Sequence, residues 1–390
     1  ANIFVDTNGI VYTVTSGTEI NGVKKHNTSG GNMFKGSVVT RDSLTDVYVD
    51  SQGLIYTSSY EGHIDVYSTN GDFIFAFGSG VTNLDVVGLF TSLPSIAVDK
   101  NGYIWAVDGT KGYVQSFKPT EYASKVYNAM NLYEEGLYDQ AMEQWTDVLN
   151  LNQMSSLAHN GVGKAYFHAE DYKNAMVHFK VANNREYYSE AFWEVRNKWI
   201  QDYLGYILIG LILLFAAFKL IKFVTRNKQK AGNRIRQKLW TVPVLKDVLY
   251  AFKIPRHPID RYYDIRVKKK GSIIGATILY LAFFVMFMVY KTCKGFIYQY
   301  TAVEDMDINA IVIGYFAIVA LFVICNYLVT SINDGDGDFK QVYMIPAYGL
   351  VPAFVSMLAV TIISYVLTYN EAFLLTIMLI IGISWSVVSI

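Results

Sequence analysis

At 390 residues the chain is long enough for two or three domains. A hydrophobic fraction of 52%, only 17% charged residues and a mean hydropathy of +0.23 argue against a wholly soluble protein. The net charge of zero hides an asymmetry: between Lys219 and Lys270 stand sixteen Lys or Arg and three acids, Asp247, Asp260 and Asp264. The two cysteines, Cys293 and Cys325, precede and end a predicted transmembrane helix, which places them near opposite membrane faces and argues against a disulfide. No CxxC or Cys/His ligand spacing exists, so neither a metal site nor a cofactor is expected.

The chain starts at Ala1 without an initiator Met or a signal peptide, and it stops at Ile390 inside an apolar run; the expectation is a fragment of a longer protein. Residues 1–118 are rich in Val, Ile, Tyr, Thr and Gly in short runs between turn signals, which predicts β-hairpins. One motif recurs. Val5-Asp6-Thr-Asn-Gly9-Ile-Val-Tyr12 returns as Val49-Asp50-Ser-Gln-Gly53-Leu-Ile-Tyr56 and as Val98-Asp99-Lys-Asn-Gly102-Tyr-Ile-Trp105, with Asp-to-Asp spacings of 44 and 49 residues. Asp starts a tight turn by accepting from the backbone two residues on, and Gly three residues later takes the positive φ that closes the hairpin. Turn formation accounts for Asp6, Asp50 and Asp99 better than calcium binding or catalysis. The motif resembles NHL repeats, which implies propeller blades. Propellers close with four or more blades, so the others are expected upstream of Ala1.

From Tyr122 the periodicity becomes helical. Tyr138 and Tyr172, Ala141 and Ala175, and Trp145 and Phe179 each stand 34 residues apart. That spacing and the pairing of small with aromatic residues resemble two tetratricopeptide (TPR) repeats over 119–202, capped by a third helix, Glu186 to Asp202. Core packing accounts for the aromatics, with Trp199 as an interfacial anchor. The rival, a peptide groove, would be small with two repeats.

Tyr203 to Phe223 is long and apolar enough to cross a bilayer. The basic segment 224–271 behind it is expected to be cytoplasmic, leaving 1–202 outside. Within it Leu239, Trp240, Val244, Leu245, Val248, Leu249 and Phe252 form an apolar helical face beside lysines, suited to the anionic inner leaflet of the membrane lipid. Nucleic acid is a poor partner for a loop tethered between spans. Four more spans are predicted at Ser272–Tyr290, Ile308–Leu328, Met344–Leu367 and Ala372–Ile390, the last incomplete. Alternation puts 291–307 and 368–371 outside and 329–343 inside. Asn333 to Asp338 is briefly similar to a calcium loop, but Phe339 and Ile345 stand where Gly and Glu are required. A polar turn is the expectation.

Phe252-Lys-Ile-Pro-Arg-His257-Pro258-Ile-Asp-Arg-Tyr-Tyr, then Asn326-Tyr-Leu-Val-Thr-Ser-Ile, Gly337-Asp-Phe-Lys-Gln-Val and Ala347-Tyr-Gly-Leu-Val-Pro352, resemble a Yip-type membrane domain over roughly 250–390. Eukaryotic members of that family are linked to small GTPases and vesicle traffic, a role not carried over to this bacterial-looking arrangement. Pro346 and Pro352 flank Tyr348 and Gly349, predicting a kinked or broken helix whose freed backbone groups need neighbours. With no Asp, Glu, Lys or Arg inside these four spans, the usual mark of an ion pathway is missing.

The expected architecture is therefore multi-domain: partial β-propeller, α-helical TPR pair, and α-helical transmembrane bundle over 203–223 and 272–390. The expected function is a non-enzymatic, multi-pass protein of the plasma membrane. Its outer part would bind a ligand, a glycan or a protein partner, and its Yip-type domain would dock to another membrane protein such as a sugar ABC permease. The alternatives are a transporter or channel component, or a propeller enzyme. No catalytic residue is expected; the structural and interaction candidates are Trp199, Pro346, Pro352, Gly349 and Asn326. The helix after Glu186 is expected to continue into the first span as one rod that couples outside to inside.

Overall fold

The computed structural model describes residues 2–15, 22–34, 43–80, 84–225, 243–268, 270–332 and 338–389. They fall into two compact units, Ala1–Asn183 and Asn184–Ile390.

In the first unit the recurrent motif opens each of three antiparallel sheets. β1 (Asn2–Val5), β2 (Val11–Thr15) and β3 (Gly22–His26) form one. β4 (Leu44–Val49), β5 (Ile55–Ser59), β6 (Ile64–Tyr67) and β7 (Phe73–Phe77) form the second. A short parallel pair, β8 (Ser79–Gly80) with β9 (Leu89–Phe90), leads to the third, made of β10 (Ser95–Val98), β11 (Ile104–Asp108) and β12 (Tyr113–Phe117). The turn chemistry is the same three times. The Asp50 carboxylate accepts from Gln52 N and Leu54 N, both at 2.9 Å, and Gly53 N donates back to the Asp50 carbonyl. Asp6 and Asp99 repeat the pattern, and Gly9, Gly53 and Gly102 sit at φ of 78°, 84° and 79°. These positive values exclude most side chains.

All residues of β5 and β6 are buried, whereas β10 and β11 alternate, so the second sheet is covered on both faces. β4 packs against β1 and β2 on one side and β10 on the other. A polar ladder links the three sheets at one repeat position, four residues before each turn Asp. Buried Asp46 accepts from Asn2 Nδ2 in the preceding sheet and from Ser95 Oγ, at 2.6 Å, in the following one. Ile96 N and Val47 N complete its shell. Among the described residues the sheets do not close into a ring, so a full propeller is not reached.

Helices follow directly. α1 (Glu121–Glu134) begins at Thr120, whose hydroxyl accepts from Ala123 N; α2 is Tyr138–Leu151, α3 Ser156–His168 and α4 Tyr172–Val181. Ser155 and Asp171 cap α3 and α4 by the same device. The residues that repeat at 34 carry the packing: Ala141, Trp145, Ala175 and Phe179 are all buried. Gly161 lies under the Trp145 ring and Gly163 under Phe179, where an added Cβ would stand 2.7 Å from the Phe179 ring.

In the second unit α5 (Arg185–Thr225) is a single helix of 41 residues, about 60 Å long at 1.5 Å per residue. The expected continuity from Glu186 into the first span is present. The rod starts at Arg185, because Asn183, at φ 57°, ends the preceding helix; its N-terminal half, expected to cap the repeat pair, is grouped with the second unit. α6 (Pro243–Ala251) and α7 (Pro258–Arg266) precede α8 (Ile273–Thr292), α9 (Ile308–Ile332), α10 (Phe339–Gly349), α11 (Val351–Ile363) and α12 (Ala372–Ser389). Among the described residues five helical segments are long and apolar enough to cross a membrane: Arg185–Phe223, Ile273–Thr292, Ile308–Ile332, Phe339–Ile363, which comprises α10 and α11, and Tyr369–Ser389. The basic stretch 226–242, with Leu239 and Trp240 of the expected amphipathic face, and the turn at 333–337 lie outside the described residues.

Two substitutions test the first unit. Gly163→Ala forces the Phe179 ring aside and is expected to cost about 1–3 kcal/mol. Asp46→Ala strips acceptors from both neighbouring sheets and is expected to cost about 2–4 kcal/mol. Thermal or chemical unfolding of the intact chain, followed through the first unit's hydrogen exchange, measures both.

Candidate functional site

Three places concentrate structure beyond simple packing. The first is an aromatic cleft of about 380 Å³ in the first unit, where β7, the end of β12 and the start of α1 meet. Phe75, Phe77, Phe117, Tyr122 and Tyr127 wall it, with Lys118 and Thr120 at the chain crossing. The rings meet at angles: Phe75 lies 6.0 Å from Tyr122 and 5.9 Å from Tyr127, and Phe77 lies 5.3 Å from Phe117. Such walls suit an apolar or ring-shaped ligand, and the size falls in the range of small-molecule sites. Burial pushes the Tyr127 hydroxyl up to about 12, and burial also raises Asp50 above the ordinary carboxylate value despite its turn hydrogen bonds and Tyr56. Lys118 is the charged side chain in this lining, and the rest of the wall is aromatic, aliphatic or hydroxyl-bearing.

The second is a clasp at one end of the helical bundle. Arg196, on the polar half of α5, meets Glu371 through two hydrogen bonds of 2.6 and 2.9 Å and also donates to the Val366 carbonyl at 2.8 Å. A bidentate guanidinium–carboxylate pair fixes direction as well as distance. Glu371 further accepts from Thr368 N, completing a capping box at the entry to α12. Two turns back along α5, Ser189 Oγ accepts from Tyr369 N at 2.8 Å. Arg185 reaches the Gln299 carbonyl at 2.7 Å and lies over the Phe296 and Tyr300 rings, and Tyr188 packs edge-on against Phe296. The α8–α9 and α11–α12 connections are joined to each other as well: Gly295 N donates to Ser364 Oγ and Tyr298 Oη to the Thr368 carbonyl. One segment of α5 therefore holds two loops that are seventy residues apart.

The third lies at the opposite end of α8. Asp264, nearly covered, accepts from Lys268 at 2.6 Å, Lys270 at 2.8 Å and Tyr250 Oη at 3.2 Å. The Lys268 and Lys270 ammonium groups hold its carboxyl well below the usual carboxylate range, against the opposing effect of desolvation. Tyr250 and Ile265 pack there with Ala276, Tyr280, Met344 and fully buried Tyr348.

The expected site residues separate. Pro346 and Gly349 are buried in α10 and flank Tyr348, and Pro352 stands in the first turn of α11. The helix breaks at Leu350, as the prolines predict. The freed Ala353 N–H donates to Ser386 Oγ on α12 at 2.9 Å, the neighbour that a broken membrane helix requires. Gly382, one turn before Ser386, lies directly against Ser356, so α11 and α12 approach closely there. Asn326 is exposed on α9 and bonds within its own helix, to the Phe322 carbonyl. Trp199 is half exposed beside Tyr203, with ring centroids 5.5 Å apart, where the polar half of α5 gives way to the apolar half. Sequence reasoning passed over Arg196, Glu371, Asp264, Asp46 and Ser386. Asp46 alone had a local signal, its position four residues before a repeat Asp; the partners of the others are set by the fold.

Residues 252–390 match the family model of the Yip1 domain. No curated protein matches the chain. The matched segment contains α7 to α12, and together with the apolar helices it supports a membrane protein whose C-terminal part is similar to the Yip1 domain, with a β-rich region and a helical region before it.

Arg196→Met removes three hydrogen bonds to this loop and is expected to speed amide exchange in 366–371 at least tenfold, a single charged hydrogen bond being worth ~1.5 kcal/mol. The exchanged pair Arg196→Glu with Glu371→Arg is expected to recover part of that protection. At the other end, Asp264 is charged far below its ordinary value, so its contribution is complete above about pH 4 and fades as pH falls further. Exchange in 258–270 is accordingly expected to be flat from neutral pH down to about pH 5 after correction for the intrinsic rate, and to rise only in stronger acid.

Proposed function

We propose that the chain is a non-enzymatic, multi-pass protein of a bacterial plasma membrane that couples recognition outside to a partner in the bilayer. In this reading the three sheets are blades of an NHL-type propeller, α1 to α4 are two TPR repeats, and residues 1–202 face outward. The basic segment 224–271 faces the cytoplasm and the anionic leaflet, since basic loops concentrate on that side. The aromatic cleft takes the ligand, a molecule with an apolar or sugar-like ring face. The Yip-type bundle docks to another membrane protein, for which a sugar ABC permease is a fitting candidate.

One observation carries the coupling: α5 runs unbroken for 41 residues and its extramembrane half is clasped to two bundle loops, to one by Arg196 on Glu371 and to the other by Arg185 on the Gln299 carbonyl. A continuous helix passes on tilt and rotation that a flexible linker would absorb. The clasp delivers such movement to the loops between the spans. The apolar, ring-walled cleft supports binding in preference to catalysis.

Isolation of the native protein in mild detergent is expected to bring a second membrane protein with it, in a fixed ratio that Arg196→Met leaves intact. Repeated recovery of the protein alone would count against docking. A flexible Gly-Ser insertion after Trp199 is expected to abolish the response of the partner to ligand while both still associate; an unchanged response would remove the coupling role of α5.

A further inference from the structure

A groove of about 420 Å³ runs between α8, α9 and α10 inside the second unit. Its wall is almost wholly apolar, formed by Leu281 and Tyr280 on α8, Phe316 and Ile324 on α9, and Phe339 and Tyr343 on α10. The few hydroxyls are already engaged with one another or with backbone. Thr277 Oγ1 lies 2.9 Å from Tyr343 Oη, and Tyr280 Oη donates to the Tyr343 carbonyl at 3.1 Å. A polar occupant would lose its hydration there without replacement, so the groove selects an apolar one. Leu281, Ile324 and Phe339 are each about half exposed, so the groove opens sideways along the helices, toward the bilayer that these spans cross.

One end of the groove is charged. Phe339, the first residue of α10, stands between exposed Asp338 and exposed Lys340, so the excess charge comes from the chain before α8; Thr277 stands five residues, about 7–8 Å, beyond Ser272, the N-cap of α8. Immediately before Ser272, residues 260–270 carry five Lys or Arg against Asp260 and Asp264. An apolar slot closed at one end by excess positive charge matches a phospholipid with an anionic headgroup. A transmembrane helix of a partner fits less well. Helices approach closely over small residues, and this wall presents Phe316, Phe339, Tyr280 and Tyr343.

We infer that this groove is a phospholipid site, with an acyl chain along Phe316, Ile324 and Leu281 and an anionic headgroup at Lys340, Arg266, Lys268 and Lys270. The acyl-chain groove lies outside the segment 224–271, although the headgroup end uses the last basic residues of that segment; the site requires only that the helices span a membrane, so it stands or falls apart from partner docking.

The intact protein is reconstituted in vesicles containing phosphatidylglycerol or phosphatidylcholine that carries a photoreactive diazirine in the acyl chain. Cross-linked peptides are then mapped by mass spectrometry. Labelling is expected to concentrate on Leu281, Phe316, Val319, Val323 and Ile324, about fivefold higher from the anionic lipid, as the attraction of one basic residue near a membrane surface implies. Ala320→Trp, which fills the groove, is expected to remove that labelling and leave the other face of α9 at Ile318 and Leu321 unchanged. Lys340→Glu is expected to reduce the anionic preference and spare the tail contacts, which keeps the test decisive if the tryptophan variant fails to fold. Even labelling of all lipid-facing helices, insensitivity to Ala320→Trp, or capture of a protein helix in the groove would overturn the proposal. Equal labelling by the two lipids would overturn its headgroup half.

Discussion

Glu371 answers two demands with one carboxylate, and the attachment of α5 to the loops of the second unit depends on it. It pairs with Arg196 from α5, accepts from Thr368 N and so closes the capping box that starts α12. Because Arg196 also reaches the Val366 carbonyl, the loop between α11 and α12 is tied to α5 by both side chain and backbone. The pair is partly covered, with side chains 15% and 31% exposed, and bidentate geometry in a partly desolvated place is where an ion pair is worth more than its surface counterpart. The neighbouring ring contacts of Arg185 and Tyr188 extend the same attachment to the loop between α8 and α9. A long helix that would otherwise be an anchor becomes part of the bundle's surface.

Inside the bundle the same economy of polar groups recurs. The break at Leu350 would leave amides unsatisfied in an apolar environment, and Ser386 supplies the missing acceptor to Ala353. Gly382 permits the close approach that brings Ser386 within reach. At the opposite end Asp264 gathers Lys268, Lys270 and Tyr250, so the chain entering α8 is held by charge before it enters the apolar layer. The first unit solves its own version with Asp46, which bonds to both neighbouring sheets.

Much of this was legible in residues alone. The Asp-to-Gly motif announced hairpins because the side chain and the positive φ of Gly act within five residues. The 34-residue spacing announced paired helices, and Trp145 and Phe179 do fill equivalent places under glycines. Apolar length announced the spans, and Pro346 and Pro352 announced the break. Asn326 stood in a family-like signature, yet its side chain bonds only within its own helix. Glycines 161 and 382 looked unremarkable in sequence; the close approach of a neighbouring element is what makes them necessary.

Local interactions are written into sequence because their partners are fixed by chain geometry: turns, caps, helix periods and membrane-spanning length all arise within one or two turns of backbone. The position of Arg196 opposite Glu371, 175 residues away, is not local. Neither are the reach of Ser386 to Ala353, the meeting of Tyr250 with Asp264, or the groove between α8, α9 and α10. Each depends on which helices become neighbours, and that is settled only when apolar faces are buried together and the remaining polar groups must find one another. The sequence by itself therefore determined the elements and the apolar lengths that fit a membrane; the tertiary structure decided which charges clasp, which hydroxyl heals the broken helix, and where a slot is left open.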